Sequence, residues 1–508
     1  MQNFKLNLLM VLCVLSTLSI FSSCKKDRGY VDQETLTPGP DLNFYALTTD
    51  SKLLLINAKN PSNILSQVTL SGLQTGETIL GIDFRPATGQ LYGVGSTSRL
   101  YIIDPKTGVA RSLTTAAFTP ALSGTAVAFD FNPAVDRIRL VTSGGQNLRL
   151  HPETGAVAGT DGVINGVANA KVTAAAYTQN RAGSTTTVLF DIDVANDKLH
   201  KQDPPNDGKL VEVGSLGFDA EEASGFDINP DGGVALAALS VAGKSGLFQI
   251  DLNSGKAAKI GNFSQQITGI AIPTEAVAYA ISANNELLIF NHTSATPAII
   301  VKAITGVQAG ESILGIDIRP LNGQLYALGS TSRIYTINTA SGLATQAGTG
   351  VLSTLLVGTQ FGFDFNPTVD RIRIVSNTGQ NLRFNPLDGS VAVDGSITLA
   401  TAAISGAAYT NNFAGAATTV LFDIDAQGDR LYKQDPPNLG TLVDVGALGI
   451  NVDAANGFDI GSTSGVAYGL FTVGGVQKIY TVNLSNGAAT ALATIGTPAR
   501  AFTVGLGF

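Results

Sequence analysis

The residue types best suited to chemistry in this 508-residue chain lie in short polar loops between apolar stretches. Residues 96–99 read Ser-Thr-Ser-Arg and residues 144–147 read Gly-Gly-Gln-Asn, and related loops recur at 330–333 and 378–381. Arg, Gln and Asn suit hydrogen bonds to sugars, carboxylates or peptide backbone, although Ser, Asn and Gly also make tight turns without any ligand. These loops supply the predicted ligand-binding residues, which are Ser98, Arg99, Gln146, Asn147, Ser332, Arg333, Gln380 and Asn381.

A cluster of arginines offers a second place for binding. Alternation along a predicted strand at 136–140 puts two arginines on one face, and the next strand adds a third. Three guanidinium groups could hold an anionic ligand. They could instead pair with Asp83, Asp130 or Asp136, as buried charges commonly do. The arginines and their repeats are Arg137, Arg139, Arg149, Arg371, Arg373 and Arg383.

Two carboxylates lie two residues apart on one predicted strand, Asp191 and Asp193, and Asp423 and Asp425 repeat them. Paired carboxylates can bind calcium or cleave glycosides, but calcium normally takes six or more oxygen ligands. Because the sequence has no clustered D-x-D-x-D loop, we expect these residues to stabilise their strand.

Residue counts exclude several classes of function. None of the three histidines recurs when the chain is compared with itself, and Trp is absent. A histidine zinc site, a Ser-His-Asp triad and an indole stacking platform are therefore not predicted. The net charge of −8 argues against a nucleic-acid partner. The sequence predicts no metal site and no cofactor.

The elements that position these residues occur twice. Residues 81–101 and 315–335 are identical at 15 of 21 positions. The offset between matching motifs is 234 residues early in the chain and 232 later, which a two-residue deletion explains. From residue 44 to the end, the chain is therefore two copies of one long unit.

Each copy divides further into units of about 35–50 residues with four short apolar stretches each, a pattern typical of β-propeller blades. The sequence predicts an all-β chain of ten blades, five in each copy. The first unit has only three strands, so its fourth should come from 267–272 or 502–508. If 267–272 supplies it, each copy closes on itself as a five-bladed propeller. If 502–508 supplies it, the chain forms one ten-bladed ring.

Propeller geometry predicts where ligands would meet the chain. Loops joining second to third strands share one face with the connections between blades, and ligands usually bind where these loops converge on the channel mouth. Ser, Asn, Gln and Arg at that mouth would favour a binding or scaffold module. At least three converging carboxylates would favour the rival class, a hydrolase or lyase that uses Asp and Arg on a glycan or ester.

The N-terminus resembles a bacterial lipoprotein signal. Lys5 precedes an apolar stretch, and residues 21–24 read Phe-Ser-Ser-Cys, with Cys24 as the expected lipid attachment site. An ordinary secretion signal is the alternative. The sequence predicts an exported protein held by lipid at the cell envelope, at the outer membrane, with an envelope protein or glycan as partner. The predicted organisation is a signal peptide at 1–23, an anchor and spacer at 24–41, and propeller repeats at 42–274 and 275–508.

Several motifs together resemble a family of bacterial secreted proteins known only as domain of unknown function number 4394. They are GIDFRP…GQLYG, FDFNP..DRIRLV, GQNLR, KQDPPN and GFDI, and the likeness covers nearly all of 44–508 in two copies. The resemblance implies a propeller-like fold on an exported protein. It implies no activity.

Overall fold

The structure, a computed structural model, describes residues 36–124 and 126–508. Residues 37–508 form one compact unit. The predicted all-β architecture is confirmed, with ten four-stranded antiparallel sheets. The described helices are two short 3₁₀ turns, Pro205–Asp207 and Pro437–Leu439, and neither is long or apolar enough to cross a bilayer. The predicted signal peptide, Cys24 and part of the predicted spacer lie outside the described residues.

The first copy supplies twenty strands, and most of them alternate buried and partly exposed residues or are buried throughout. In chain order they are β1 Asn43–Thr48, β2 Lys52–Asn57, β3 Ile64–Thr69, β4 Ile79–Phe84, β5 Leu91–Gly95, β6 Arg99–Ile103, β7 Ala110–Ser112, β8 Val127–Asn132, β9 Arg137–Thr142, β10 Asn147–Leu150, β11 Val157–Thr160, β12 Val172–Tyr177, β13 Leu189–Asp193, β14 Lys198–Gln202, β15 Leu210–Ser215, β16 Glu222–Ile228, β17 Ala235–Val241, β18 Lys244–Ile250, β19 Ala257–Asn262 and β20 Ile267–Ala271.

The second copy repeats this set with small differences in length. Its strands are β21 Ala278–Ser282, β22 Glu286–Phe290, β23 Ile300–Ala303, β24 Ile313–Ile318, β25 Leu325–Gly329, β26 Arg333–Ile337, β27 Ala344–Ala347, β28 Phe361–Asn366, β29 Arg371–Ser376, β30 Asn381–Phe384, β31 Val391–Val393, β32 Ile404–Tyr409, β33 Leu421–Asp425, β34 Arg430–Gln434, β35 Leu442–Ala447, β36 Ala454–Ile460, β37 Ala467–Val473, β38 Val476–Val482, β39 Ala489–Thr494 and β40 Ala499–Val504.

Ring closure separates the two copies. Strand β20 pairs antiparallel with β1, and β40 pairs antiparallel with β21. Each copy therefore supplies the missing strand of its own first blade. The five inner strands β4, β8, β12, β16 and β20 pack side by side in one ring, and β24, β28, β32, β36 and β40 do so in the other. The structure is two five-bladed propellers, and the ten-bladed alternative is wrong.

The inner strands approach each other closely because Gly recurs two residues before the Asp of the GID and GFD motifs. A Cβ added to Gly81 would lie 2.8 Å from the Cβ of Phe129, and one added to Gly315 would lie 2.7 Å from the Cβ of Phe363. Real Cβ atoms do not come this close, so larger residues would push neighbouring strands apart. This contact explains the recurring Gly of the GID and GFD motifs.

The two propellers meet through the loops that join first to second strands. The Nη1 of Arg85 donates to the carbonyl of Gly323 at 3.1 Å, and the hydroxyl of Tyr279 donates to the carbonyl of Ala87 at 2.8 Å. The loops that join second to third strands lie at the opposite end of each blade. The two faces predicted to meet ligands therefore point away from the contact between the propellers.

Candidate functional site: the two channel mouths

Each propeller has a cavity where its inner strands begin, of about 160 Å³ in the first and about 220 Å³ in the second. We call these cavities the first mouth and the second mouth. Both lie on the predicted face, because a second-to-third-strand loop contacts each. The N–H of Ser96 donates to the carbonyl of Thr78 in the first mouth at 2.8 Å, and the N–H of Asn377 donates to the carbonyl of Gln360 in the second at 3.1 Å. One matching residue from each inner strand lines each mouth. These residues are Leu80, Val127, Thr173, Ser224 and Thr268 in the first, and Leu314, Phe361, Ser405, Asn456 and Arg500 in the second.

The second mouth contains a guanidinium group. The Nη2 of Arg500 donates to the Oδ1 of Asn285, and its Nε is buried without a hydrogen-bond partner among the described residues. Burial lowers the pKa of Arg500. Gln360 and Ser405 add polar groups to the same lining.

The first mouth differs in charge. Thr268 stands where the second mouth has Arg500, and Glu222 adds a carboxylate to the lining. The hydroxyl of Thr173 is buried and has no partner in the described part of the chain. The two mouths therefore share a shape but offer different chemistry.

Below each mouth, three aspartates from three inner strands converge, and we call each set an acidic layer. Their carboxylate oxygens lie within 4.8 Å of one another, and each residue is 1% exposed. They occupy the same depth in the GID, FDF and FDI motifs, three residues beyond the mouth. The layers are Asp83, Asp130 and Asp227 in the first propeller, and Asp317, Asp364 and Asp459 in the second.

The acidic layer joins neighbouring blades. The N–H of Phe131 donates to Oδ2 of Asp83 at 2.8 Å, and the N–H of Tyr177 donates to Oδ1 of Asp130 at 2.9 Å. Asp227 accepts in the same way from the N–H of Ile272, the residue after β20, at 2.5 Å. Since adjacent inner strands share no ladder of hydrogen bonds, these carboxylates connect one sheet to the next.

Burial makes the aspartates of the layer weaker acids. It raises the pKa of Asp227 to about 7 and that of Asp459 to about 6. Burial, and then the neighbouring carboxylates, raise the pKa of Asp83 and Asp130 well above the usual range. Calcium takes six or more oxygen ligands, and five of the six carboxylate oxygens in the first layer already accept backbone N–H groups. The geometry fits a structural layer better than a calcium site.

Sequence reasoning missed the acidic layer, although a signal was present. Each Asp was interpreted within its own strand, and the three meet only when the ring closes. Asp at the same position of three out of five inner strands would have indicated one shared layer. The prediction considered convergent carboxylates at the mouth, and the structure places them deeper, where they are buried.

Half of the predicted ligand-binding residues are held inside the protein. Ser98 Oγ accepts the N–H of Leu122 at 2.9 Å, and Asn147, which is 1% exposed, accepts from Arg139 Nη1 at 2.7 Å. These contacts shape the loops without a ligand. The matching residues Ser332 and Asn381 make equivalent bonds.

The other half are partly exposed on the same face. Nη1 of Arg99 donates to Oγ1 of Thr97 at 2.5 Å, and Nε2 of Gln146 donates to the carbonyl of Ala121 at 2.9 Å. Gln146 thus connects a second-to-third-strand loop to the loop between two blades. The repeats are Arg333 and Gln380. None of the eight predicted residues is among those lining the mouths, and their binding role stays a prediction.

The arginine cluster is part of an ion-pair network. Arg139 and Arg149 both contact Asp161, at 2.6 and 2.8 Å. The expected partners were wrong, because Asp83 and Asp130 lie in the acidic layer and Asp136 pairs with Arg85. The second propeller repeats the arrangement around Asp394, with Arg373 and Arg383.

The paired aspartates on β13 have opposite environments. Both oxygens of Asp191 are buried without a partner in the described chain, and burial raises its pKa to about 8. Burial also acts on Asp193, but hydrogen bonds from His200, the N–H of Lys171 and Asn196 outweigh it and lower its pKa to about 2. Asp423 repeats Asp191: burial raises its pKa to about 8, and its oxygens have no partner among the residues that the structure describes.

Comparisons with known proteins agree with the duplication. The chain matches the family described as "Domain of unknown function (DUF4394)" at residues 52–271 and again at 286–504. No curated protein matches it. Among solved structures, it is similar to a protein from Lactobacillus plantarum at 12% identity and a TM-score of 0.29, over 65% of this chain and 98% of that one. The extracellular domain of the putative hybrid two-component system BT4673 from B. thetaiotaomicron matches at 11% identity and a TM-score of 0.26, over 90% of this chain and 65% of that one.

Proposed function

We propose that this chain, which belongs to the DUF4394 family, is an exported, lipid-anchored binding protein whose two channel mouths take up parts of an envelope glycan or protein. The family description assigns no activity, so the proposal depends on the site. The observation that carries it is the pair of outward-facing mouths, lined by Thr, Ser, Asn, Gln and Arg around small cavities.

The size of the mouths limits what they can hold. Pockets for drug-sized ligands have volumes of roughly 300–1,000 Å³, and the larger mouth has about 220 Å³. Each mouth therefore suits one sugar unit or one side chain of a larger molecule. Two mouths on opposite sides could engage two segments at once, which strengthens weak binding through high effective concentration.

The rival function, a hydrolase, would depend on the acidic layer. Raised pKa values suit general acids, and burial raises the pKa of Asp227 to about 7. A catalytic acid must also come within hydrogen-bond reach of its substrate. Because every aspartate of the layer is 1% exposed and donors from the backbone already contact it, binding explains the geometry better than catalysis.

Filling the mouths tests the proposal. Ser224→Trp and Asn456→Trp would each place an indole in one mouth, and Gly233→Trp is the matched control, because a Cβ there meets nothing within 4 Å. The lipid-anchored protein would be captured from its native envelope and the co-eluting glycans and proteins identified. We expect the double mouth variant to lose a ligand that Gly233→Trp retains. An unchanged set of ligands in the double variant, with unchanged circular dichroism, would refute binding through the mouths.

The lipid anchor has its own test. Cys24→Ala removes the thiol on which acylation depends, so the precursor should retain its signal peptide and stay in the inner-membrane fraction instead of reaching the outer membrane. Globomycin should block processing of the natural sequence in the same way. Unchanged processing and fractionation in both experiments would show that the chain is not a lipoprotein.

A further inference from the structure

The guanidinium of Arg500 lines the second mouth, and the surrounding residues do not account for all of its hydrogen-bond donors. Its Nη2 is fixed by Asn285, whose Oδ1 also accepts the N–H of Ile313 at 3.0 Å. Its Nε is buried and unpartnered among the described residues. An arginine has five N–H donors, and leaving a buried one unpaired costs stability. Asn285 therefore orients a cation that still has donors to offer.

Arg500, which is partly buried, differs from the buried arginines in lacking a carboxylate partner among the described residues. Arg85, Arg139 and Arg373 each pair with one or more carboxylates at close range. Arg500 forms no ion pair in the described part of the chain, and no carboxylate lines the second mouth. Its positive charge has no protein partner within the mouth.

The rest of the second mouth adds neutral hydrogen-bonding groups. Asn456 accepts from the hydroxyl of Thr472 through Oδ1 at 2.9 Å, which leaves its amide NH₂ as a donor. The side-chain amide of Gln360 has no partner among the described residues. The acidic layer lies at the depth of Thr503, whose hydroxyl contacts Asp317 and Asp459. Thr503 is three residues beyond Arg500 on β40, roughly 10 Å at the rise of a β-strand, so the layer does not neutralise Arg500 directly.

We propose that the second mouth binds a small carboxylate ligand, which Arg500 holds through its free N–H donors and which Asn456 and Gln360 orient. This inference depends on the proposed function and names the ligand class for one of its two sites. A single guanidinium balances one negative charge, as a carboxylate carries at neutral pH. A phosphate monoester carries about −1.5 to −2 and would keep an uncompensated charge in the mouth.

The first mouth supplies a matched comparison within the same molecule. It has Thr268 in place of Arg500, and Glu222 would repel an anion. The residue of the second copy that corresponds to Glu222 is Ala454. Only one of two similar cavities should therefore bind a carboxylate.

Calorimetric titration with D-glucuronate tests the inference, with D-glucose as the neutral probe and inorganic phosphate as the dianionic probe. We expect glucuronate to bind with a stoichiometry of one per chain and more tightly than either other probe. Arg500→Gln should weaken glucuronate binding by about tenfold or more, as for the loss of a charge-assisted hydrogen bond. The double variant Glu222→Ala and Thr268→Arg should raise the stoichiometry toward two.

Three results would overturn the carboxylate site. They are no glucuronate binding by the natural sequence, equal binding after Arg500→Gln in a protein with an unchanged melting temperature, or equal affinity for glucose. The proposed function fails separately, when filling both mouths leaves envelope capture unchanged. A neutral ligand that is lost when Asn456→Trp alone fills the second mouth would therefore refute the carboxylate site and still support binding.

Discussion

Replacing Asp191 by Asn should flatten the dependence of the protein's stability on pH. Asp191 lies on β13, fully buried, and both of its carboxylate oxygens lack partners among the described residues. Burial raises its pKa from 3.8 to about 8. The folded state therefore keeps a proton that the unfolded chain releases near pH 4.

The magnitude follows from proton linkage. A group whose pKa is raised in the folded state contributes most stability below its unfolded pKa, and that stability is lost as pH rises toward the folded pKa. Between pH of about 4 and 8, one such group lowers the free energy of unfolding by about 1.4 kcal/mol per pH unit. From pH 5 to pH 7 the loss is about 3 kcal/mol, and Asp191→Asn should remove it, because Asn does not ionise.

Asp193 gives a matched control two residues away. Its pKa is lowered to about 2, so its stabilisation is present above pH of about 4 and is lost as pH falls toward 2. Asp193→Asn should therefore lower stability at pH 5 and pH 7 by similar amounts, with the slope unchanged. Urea unfolding followed by far-ultraviolet circular dichroism at pH 5, 6 and 7 measures both slopes. A slope for Asp191→Asn equal to that of the natural sequence would refute a protonated carboxyl at this position.

Two further predictions concern the contact between the propellers. Arg85→Met should cost about 3–5 kcal/mol of unfolding free energy, because it leaves buried carboxylates unpaired, including Glu153. The matched Arg319→Met should cost less in urea unfolding, since Arg319 pairs with one carboxylate that is 23% exposed; equal costs would contradict this reasoning. Gly507→Val places a Cβ 1.9 Å from the carbonyl oxygen of Gly89, whereas Gly496 has nothing within 4 Å. Calorimetry should show two thermal transitions for Gly507→Val and the natural profile for Gly496→Val, and identical profiles would show that this contact does not hold the propellers together.

The number of blades could be predicted from the sequence because each blade has its own recurring sequence pattern. Apolar stretches recur at regular spacing, and the turns between third and fourth strands end in Gly. Gly108 and Gly255, at φ of 75° and 78°, adopt the left-handed conformation that those turns require. These features depend on neighbours in the chain, so the sequence alone could predict them.

Ring closure could not be predicted in the same way. Strands β20 and β40 are both buried along most of their length, and either could pair with any unfilled edge. The choice between two rings and one depends on contacts more than 200 residues apart in sequence. A local pattern does not contain that information.

The predicted ligand residues show a related limit. Polar loops with Asn and Ser looked available for a ligand, but their partners lie far along the chain. Asn147 donates to the carbonyl of Pro205, 58 residues away, at 3.1 Å. Polarity in a loop indicates a need for hydrogen bonds, and only the fold shows whether the protein meets that need itself.

The two copies differ most informatively at the mouths. Both keep three aspartates at one depth, which is expected if the acidic layer joins blades in each ring. At the mouth, Thr268 and Glu222 of the first copy are replaced by Arg500 and Ala454 in the second. These two differences change the charge of the lining by about two units without altering the strands that carry them. The two propellers therefore share an acidic interior but differ in charge at their mouths, which suits them to hold two different ligands. We expect the two mouths to differ in specificity rather than to act as duplicates.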